Sequence, residues 1–153
     1  MAVRAPLLEN ETKESLKQHQ TLTKEIELLN AALEKLVCHS EVFADLSTAG
    51  QAYRCARLLA QWAPQHFRME EATVFADAQK LGQEWAAFTR EMTRQHSQMR
   101  QQLSGLCAVM ERLQTTDDLE SCICEMKEAG QKLTRQLAVH MSVEEHKYSM
   151  FSN

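Results

Sequence analysis

Glycine and proline are almost missing from this chain, at 4 and 2 of 153 residues. A β-rich fold needs a turn about every dozen residues or fewer, so the scarcity points to a few long helical elements. It also excludes collagen-like and low-complexity classes. Long apolar runs are absent too: each stretch meets a polar residue within a few positions, far short of a membrane span. After Arg4 the apolar stretch to Leu8 is too short for the hydrophobic region of a secretory signal, so no leader is expected. Nor is there an excess of positive charge. Lys and Arg number 17 against 21 Asp and Glu, giving a net charge of −4 and a pI near 5.9. Neither nucleic acid nor an anionic membrane is an expected partner. Five cysteines, an odd number, are expected as reduced thiols in a cytoplasmic protein.

What remains is a chain 44% hydrophobic and 25% charged, of a length that fits one domain spanning residues 1–153. Four stretches carry apolar residues at spacings of three and four, the mark of one buried helix face. They predict helices over roughly 8–37, 48–79, 83–114 and 117–150. Ser47 and Thr48 are candidate N-caps for the second, and Thr115 with Asp118 resembles a capping box for the fourth. Pro64 falls inside the second stretch and predicts a kink there, or a stop near Trp62 with a restart at Pro64. Short connections between long helices force antiparallel neighbours. The predicted class is all-α, an antiparallel up-down-up-down four-helix bundle.

The chain also repeats itself. With His19 set on His96, an offset of 77 residues, Leu22 meets Met99, Ile26 meets Leu103 and Leu29 meets Leu106. At an offset of 74, His66 with Glu70-Glu71 meets His140 with Glu144-Glu145. His19, His66, Glu70, His96, His140 and Glu144 all fall on the apolar seams, where imidazoles and carboxylates are costly unless paired or bound to a metal. Counting along the predicted helices at about 1.5 Å per residue puts all four histidines some 15–20 Å from the same end of the bundle. Four imidazoles and two carboxylates at one level are the expected construction of a dinuclear metal site, with carboxylates bridging. Nitrogen and oxygen donors without thiolate suit iron or manganese.

A lone His, a His-x-x-x-Glu, a second lone His and a second His-x-x-x-Glu, running from His19 to Glu144, resemble the hemerythrin-like HHE cation-binding family. The resemblance implies a non-haem di-iron centre with His19, His66, Glu70, His96, His140 and Glu144 as ligands. The two iron ions would share both carboxylates and an oxo or hydroxo bridge, leaving room for a small diatomic or peroxide ligand. The function it implies is binding of, or reaction with, O₂, peroxide or NO, in oxidative or nitrosative stress or iron handling. The alternative is an oxygen- or iron-responsive binding module without turnover. Oxygen-carrying hemerythrins supply a fifth His, one common place being one turn before the third-helix His. Met92 stands at that position, with Glu91 and Gln95 nearby, so the set looks more like the stress, iron-handling and sensing branch.

Other residues read more plainly. Glu71 and Glu145 lie about 100° around the helix from Glu70 and Glu144 and are expected behind the ligands or in solvent, with Glu145 an alternative ligand to Glu144. His39 and His146 are expected at the surface. Cys38, Cys55, Cys107, Cys122 and Cys124 read as small buried hydrophobes in the other half of the bundle. Phe67, Phe75, Trp62 and Tyr148 are candidates for a dry shell around the donors, and Met92 and Met69 for its lining.

Overall fold

The computed structural model of the protein describes residues 5–36 and 46–151. In chain order these form α1 (Ala5–Lys35), α2 (Leu46–Ala72), α3 (Val74–Ala78), a 3₁₀ turn (Gln79–Leu81), α4 (Gln83–Arg112), α5 (Leu119–Tyr148) and a last 3₁₀ turn (Ser149–Phe151). No strand occurs among the described residues. α1 packs on α2 and α5, and α4 packs on the same two, so the long helices form a ring of antiparallel neighbours. This is the four-helix bundle that the apolar periodicity predicts. No helix among the described residues is long and apolar enough to cross a membrane.

The main core is built from the seams read in the sequence. Leu29 and Leu33 of α1, Leu59 of α2, Leu103 and Leu106 of α4 and Leu133 of α5 are all buried. Each such leucine contributes about 1.5–3 kcal/mol by leaving water. α2 adds Ala52, Ala56 and Ala63, small enough to let it lie close against these leucines. A second, smaller cluster of Leu8, Val74, Phe75, Met92 and Tyr148 closes one end of the bundle. Near the junction of main core and end cluster every long helix carries buried histidine or glutamate: His19, His66 with Glu70, His96, and His140 with Glu144.

Three sequence expectations are corrected in detail. Ser47 and Thr48 lie within the first turn of α2, which begins at Leu46, and so do not cap it. Asp118 alone is the N-cap of α5, its carboxylate accepting from the Ser121 N–H at 3.1 Å, while Thr115 belongs to the preceding turn. The second predicted helix is not continuous to residue 79. It breaks at Thr73, whose φ of −116° and ψ of −82° leave the helical region. The Thr73 hydroxyl donates back to the Met69 carbonyl at 2.8 Å, a bond that bends helices, and the bend turns Val74 and Phe75 into the end cluster. Pro64, by contrast, lies inside an unbroken α2. An interior proline costs about 3 kcal/mol, and burial of Ala63, His66 and Phe67 around it holds the helix together. His39 and Cys38 lie outside the described residues.

Gly82 joins the 3₁₀ turn to α4 at φ 141°, a value that side chains rarely adopt. The α1 C-terminus is tied across the bundle, since Lys127 Nζ of α5 donates to the Leu36 carbonyl at 2.6 Å. Farther along the same interface a Cβ on Gly130 would stand 2.6 Å from Leu33 Cδ1, so α1 and α5 meet here through a missing side chain. Gly105, also inside a helix, is exposed and has nothing within 4 Å of the same position. Gly105→Ala should therefore raise stability by up to about 1 kcal/mol through helix propensity. Gly130→Ala should lower it, because overpacking a filled core costs about 1–3 kcal/mol. Thermal melts of the two variants check the opposite signs.

Candidate metal centre

His19 comes from α1, His66 and Glu70 from α2, His96 from α4, and His140 and Glu144 from α5; all six are buried, both carboxylates completely. The structure brings them into one layer. Donor atoms of His19, His66, Glu70 and Glu144 lie within 4.8 Å of one another, and so do those of Glu70, His96, His140 and Glu144. The two carboxylates belong to both groups. Glu70 turns Oε1 toward His19 Nε2 (3.5 Å) and His66 Nε2 (3.4 Å), and Oε2 toward His96 Nε2 (3.3 Å). Glu144 turns Oε2 toward His19 Nε2 (3.2 Å), and Oε1 toward His96 Nε2 (3.4 Å) and His140 Nε2 (3.0 Å). Each carboxylate thus presents one oxygen to each histidine pair.

The other nitrogen of every imidazole is held from behind. His19 Nδ1 meets Glu145 Oε1 at 3.2 Å, His96 Nδ1 meets Glu71 Oε1 at 2.9 Å, His66 Nδ1 meets Gln18 Oε1 at 2.9 Å and His140 Nδ1 meets Gln95 Oε1 at 2.8 Å. A carboxylate oxygen only accepts, so Nδ1 of His19 and His96 must carry the proton. The two glutamines behave alike because their own orientation is fixed: Gln18 Nε2 donates to Glu14 (3.1 Å) and Gln95 Nε2 to Glu91 (2.8 Å), turning the amide oxygens to the histidines. In neutral imidazoles all four Nε2 lone pairs then face inward, the arrangement metal-ligating histidines show. Glu71 is held in turn by two 3.1 Å bonds from Arg100.

The layer is also short of partners. His19 Nε2, His66 Nε2, Glu70 Oε2 and both Glu144 oxygens are buried without a hydrogen bond. Such atoms are expensive to strand in an interior, and these five point at shared centres. A divalent cation in each group would give every one of them a partner. The donors are nitrogen and oxygen only, which suits iron or manganese. No cysteine enters either group among the described residues. Burial pushes the thiols of Cys55, Cys107 and Cys122 up, away from the thiolate a metal would need. Of the cysteines expected to be buried, Cys122 is, whereas Cys55, Cys107 and Cys124 are only partly covered.

An aromatic and hydroxyl shell surrounds the layer. Phe67 and Phe75 stack on His96, with ring centres at 4.1 and 5.4 Å and planes within 15°. Tyr148 is more than packing: its hydroxyl donates to Glu70 Oε1 at 2.9 Å, and Ser15 Oγ donates to the same oxygen at 2.5 Å. Gln18, Ser15 and Arg100 are the site residues that sequence reasoning missed. Gln18-His19 and Gln95-His96 repeat at the 77-residue offset, a signal that could have found the glutamines. Trp62 and Met69 line a groove between α1 and α2 that reaches His66, Met92 sits in the end cluster, and His146 is exposed.

A buried layer of imidazoles and carboxylates, one pair of donors from each side of a helical ring, defines a cation-binding helical bundle. The chain matches the family model of the hemerythrin HHE cation binding domain over residues 12–151, and it belongs to that family. No curated protein and no solved structure shows significant similarity to it.

Charge within the layer is coupled. Burial works against a charged His19, but the adjacent carboxylates of Glu144 and Glu70 outweigh it and raise its pKa from 6.5 to about 10; the same balance raises His96 to about 9. Burial likewise opposes the Glu70 carboxylate, and the imidazoles of His19, His66 and His96 close around it prevail, holding it well below 4.5; Glu144 is lowered too. In the cation-free protein the raised histidines stabilise the fold fully below 6.5 and lose that contribution as pH rises through about 9 to 10. The lowered carboxylates stabilise it above 4.5 and lose theirs in acid. Denaturation of chelator-treated protein should show greatest stability between pH 4.5 and 6.5, with a decline toward pH 10. Cation should abolish the alkaline decline, because it replaces the proton on Nε2.

Proposed function

We propose that the chain is a non-haem di-iron protein that binds or reacts with O₂, peroxide or NO. His19, His66, Glu70 and Glu144 would hold one iron and Glu70, His96, His140 and Glu144 the other. The observation that carries the reading is the double span of the carboxylates: Glu70 and Glu144 each offer one oxygen to each histidine pair. Iron in this setting would supply redox equivalents and an open coordination position for a small ligand. The chain's own residues do the rest. Gln18, Gln95, Glu71 and Glu145 fix the imidazole planes through Nδ1. Phe67, Phe75 and the end cluster keep bulk water off the layer. Glu145 supports this division of labour, since its carboxylate stands behind His19 and outside both donor groups.

Freshly purified protein should carry roughly two irons per chain and a near-ultraviolet charge-transfer absorption that azide perturbs. Glu70→Ala or Glu144→Ala should remove half or more of the iron, while His146→Ala should leave it unchanged. Metal analysis beside the optical spectrum decides the matter. A single tightly held zinc with no response to azide would refute the assignment.

One observation favours a second reading. The donors join all four long helices, so cation occupancy and bundle stability are linked. An iron-responsive module would use that linkage without turnover. Removing the cation would then lower stability by several kcal/mol and alter partner binding, with negligible consumption of peroxide or O₂.

A further inference from the structure

The two halves of the donor layer repeat closely. Glu14, Gln18 and His19 correspond to Glu91, Gln95 and His96, and His66-x-x-x-Glu70-Glu71 corresponds to His140-x-x-x-Glu144-Glu145. Hydrogen bonds follow the repeat: Gln18 holds His66 as Gln95 holds His140, and Glu71 holds His96 as Glu145 holds His19. The halves part at several positions beside the layer, and two of these bear directly on a carboxylate. Ser15 corresponds to Met92, and Tyr148 corresponds to Val74.

Both departures converge on one atom. Ser15 Oγ (2.5 Å) and Tyr148 Oη (2.9 Å) donate to Glu70 Oε1, and all three side chains are buried. A carboxylate oxygen has two lone pairs, and these two donors occupy both. Among the described residues no hydroxyl donates to Glu70 Oε2 or to either oxygen of Glu144, which face only imidazole nitrogens. The loaded oxygen is the one facing His19 and His66, and the free one faces His96.

We propose that Ser15 and Tyr148 make the two cation positions unequal. The position between His96 and His140 has unencumbered oxygens from both carboxylates and fills first. The position between His19 and His66 has a free oxygen only from Glu144. It fills second, in competition with two hydroxyls for Glu70 Oε1. Over an intermediate range of cation concentration the protein holds one ion, and the width of that range is set by Ser15 and Tyr148. The inference rests on the dinuclear reading above and deepens it, since it names the residues that decide when the second ion enters.

The test is titration of cation-free protein with cobalt(II), an air-stable probe, followed by calorimetry and by visible absorption. Two steps should appear, their affinities at least tenfold apart. His66→Ala should abolish the weaker step and spare the tighter one, and His140→Ala should remove the tighter. Ser15→Ala and Tyr148→Phe should each narrow the ratio of the two affinities by about tenfold, the effect of one hydrogen bond to a charged group. Ser15→Thr, which keeps the hydroxyl, should preserve the ratio. General loosening of the site would weaken both steps together, so only the ratio reports on this competition. If Tyr148→Phe fails to fold, Ser15→Ala alone carries the test. Two equal steps, or a ratio unmoved by Ser15→Ala, would overturn the inference and leave the dinuclear reading standing. No cobalt binding at all would overturn both.

Discussion

Two fully buried carboxylates in an interior made mostly of leucine and alanine are the constraint on which the rest of this structure depends. Their charge opposes folding unless groups of opposite charge or hydrogen-bond donors lie within a few ångströms. The bundle meets the demand by aligning four imidazoles at the same depth from four different helices. That alignment is a requirement on helix phase and helix length together. One residue of slippage moves a donor about 1.5 Å along the axis and about 100° around it, out of the layer. The ties that set the depth of each helix therefore act on the site at a distance. Lys127 on the Leu36 carbonyl and Thr134 on Asn30 Oδ1 (2.6 Å) fix α5 against α1. Lys147 is paired with Glu84 and stands over the Trp85 ring, joining the end of α5 to the start of α4.

Orientation within the layer is settled one step farther out. An imidazole has two nitrogens, and only a fixed acceptor on Nδ1 leaves Nε2 free for the interior. Each glutamine that does this is itself aligned by a glutamate four residues earlier, so local helix geometry on α1 and α4 is transmitted to histidines on α2 and α5. The glutamates Glu71 and Glu145 complete the circuit in the same direction round the ring, from α2 to α4 and from α5 to α1. Each histidine thus depends on a neighbouring helix for its ring plane, and the four helices are mutually specified.

The sequence is explicit about everything that depends on helical period. Leu22 to Leu36, Met99 to Met110 and Leu133 to Met141 mark buried faces because only one side of each helix leaves water. The same count of residues predicts the common level of His19, His66, His96 and His140. It says much less about contacts between helices, since side-chain reach and rotamer are not encoded in spacing. Ser15 was invisible for this reason: a small residue on a polar stretch gives no hint that it touches Glu70, 55 positions away. Spacing marks Tyr148 as a candidate for the dry shell, which core packing explains equally well, and gives no sign that its hydroxyl reaches Glu70. The break at Thr73 was missed because its propensities differ little from those of its neighbours. The bend follows from a hydroxyl bonding backward and from the gain in burying Phe75. Pro64 shows the opposite case: the helix runs on through it instead of stopping near Trp62, held by packing of Ala63, His66 and Phe67.

Internal repetition explains both the economy of the site and its departures from symmetry. A layer built from two copies of the same motif would meet two cations on equal terms, and most of this one does. The end cluster is where equality stops. Met92 and Val74, the counterparts of Ser15 and Tyr148, are apolar members of that cluster, whereas Ser15 and Tyr148 give Glu70 two hydroxyls. Burial raises the Tyr148 phenol well above its usual 10, and the charges of Glu144 and Glu70 add to the effect, so the proton stays on oxygen and the group remains a donor. The grooves differ as well. The one reaching His66 is lined by Trp62, Met69 and uncharged polar groups with a volume near 230 Å³; the one reaching His140 is near 460 Å³ and lined by Arg94, Lys132 and Arg135. Both grooves end on the imidazoles backed by Gln18 and Gln95. A neutral amide there orients the ring without adding negative charge at the point where solvent comes nearest to the donors, while the anionic backing of Glu71 is balanced by Arg100.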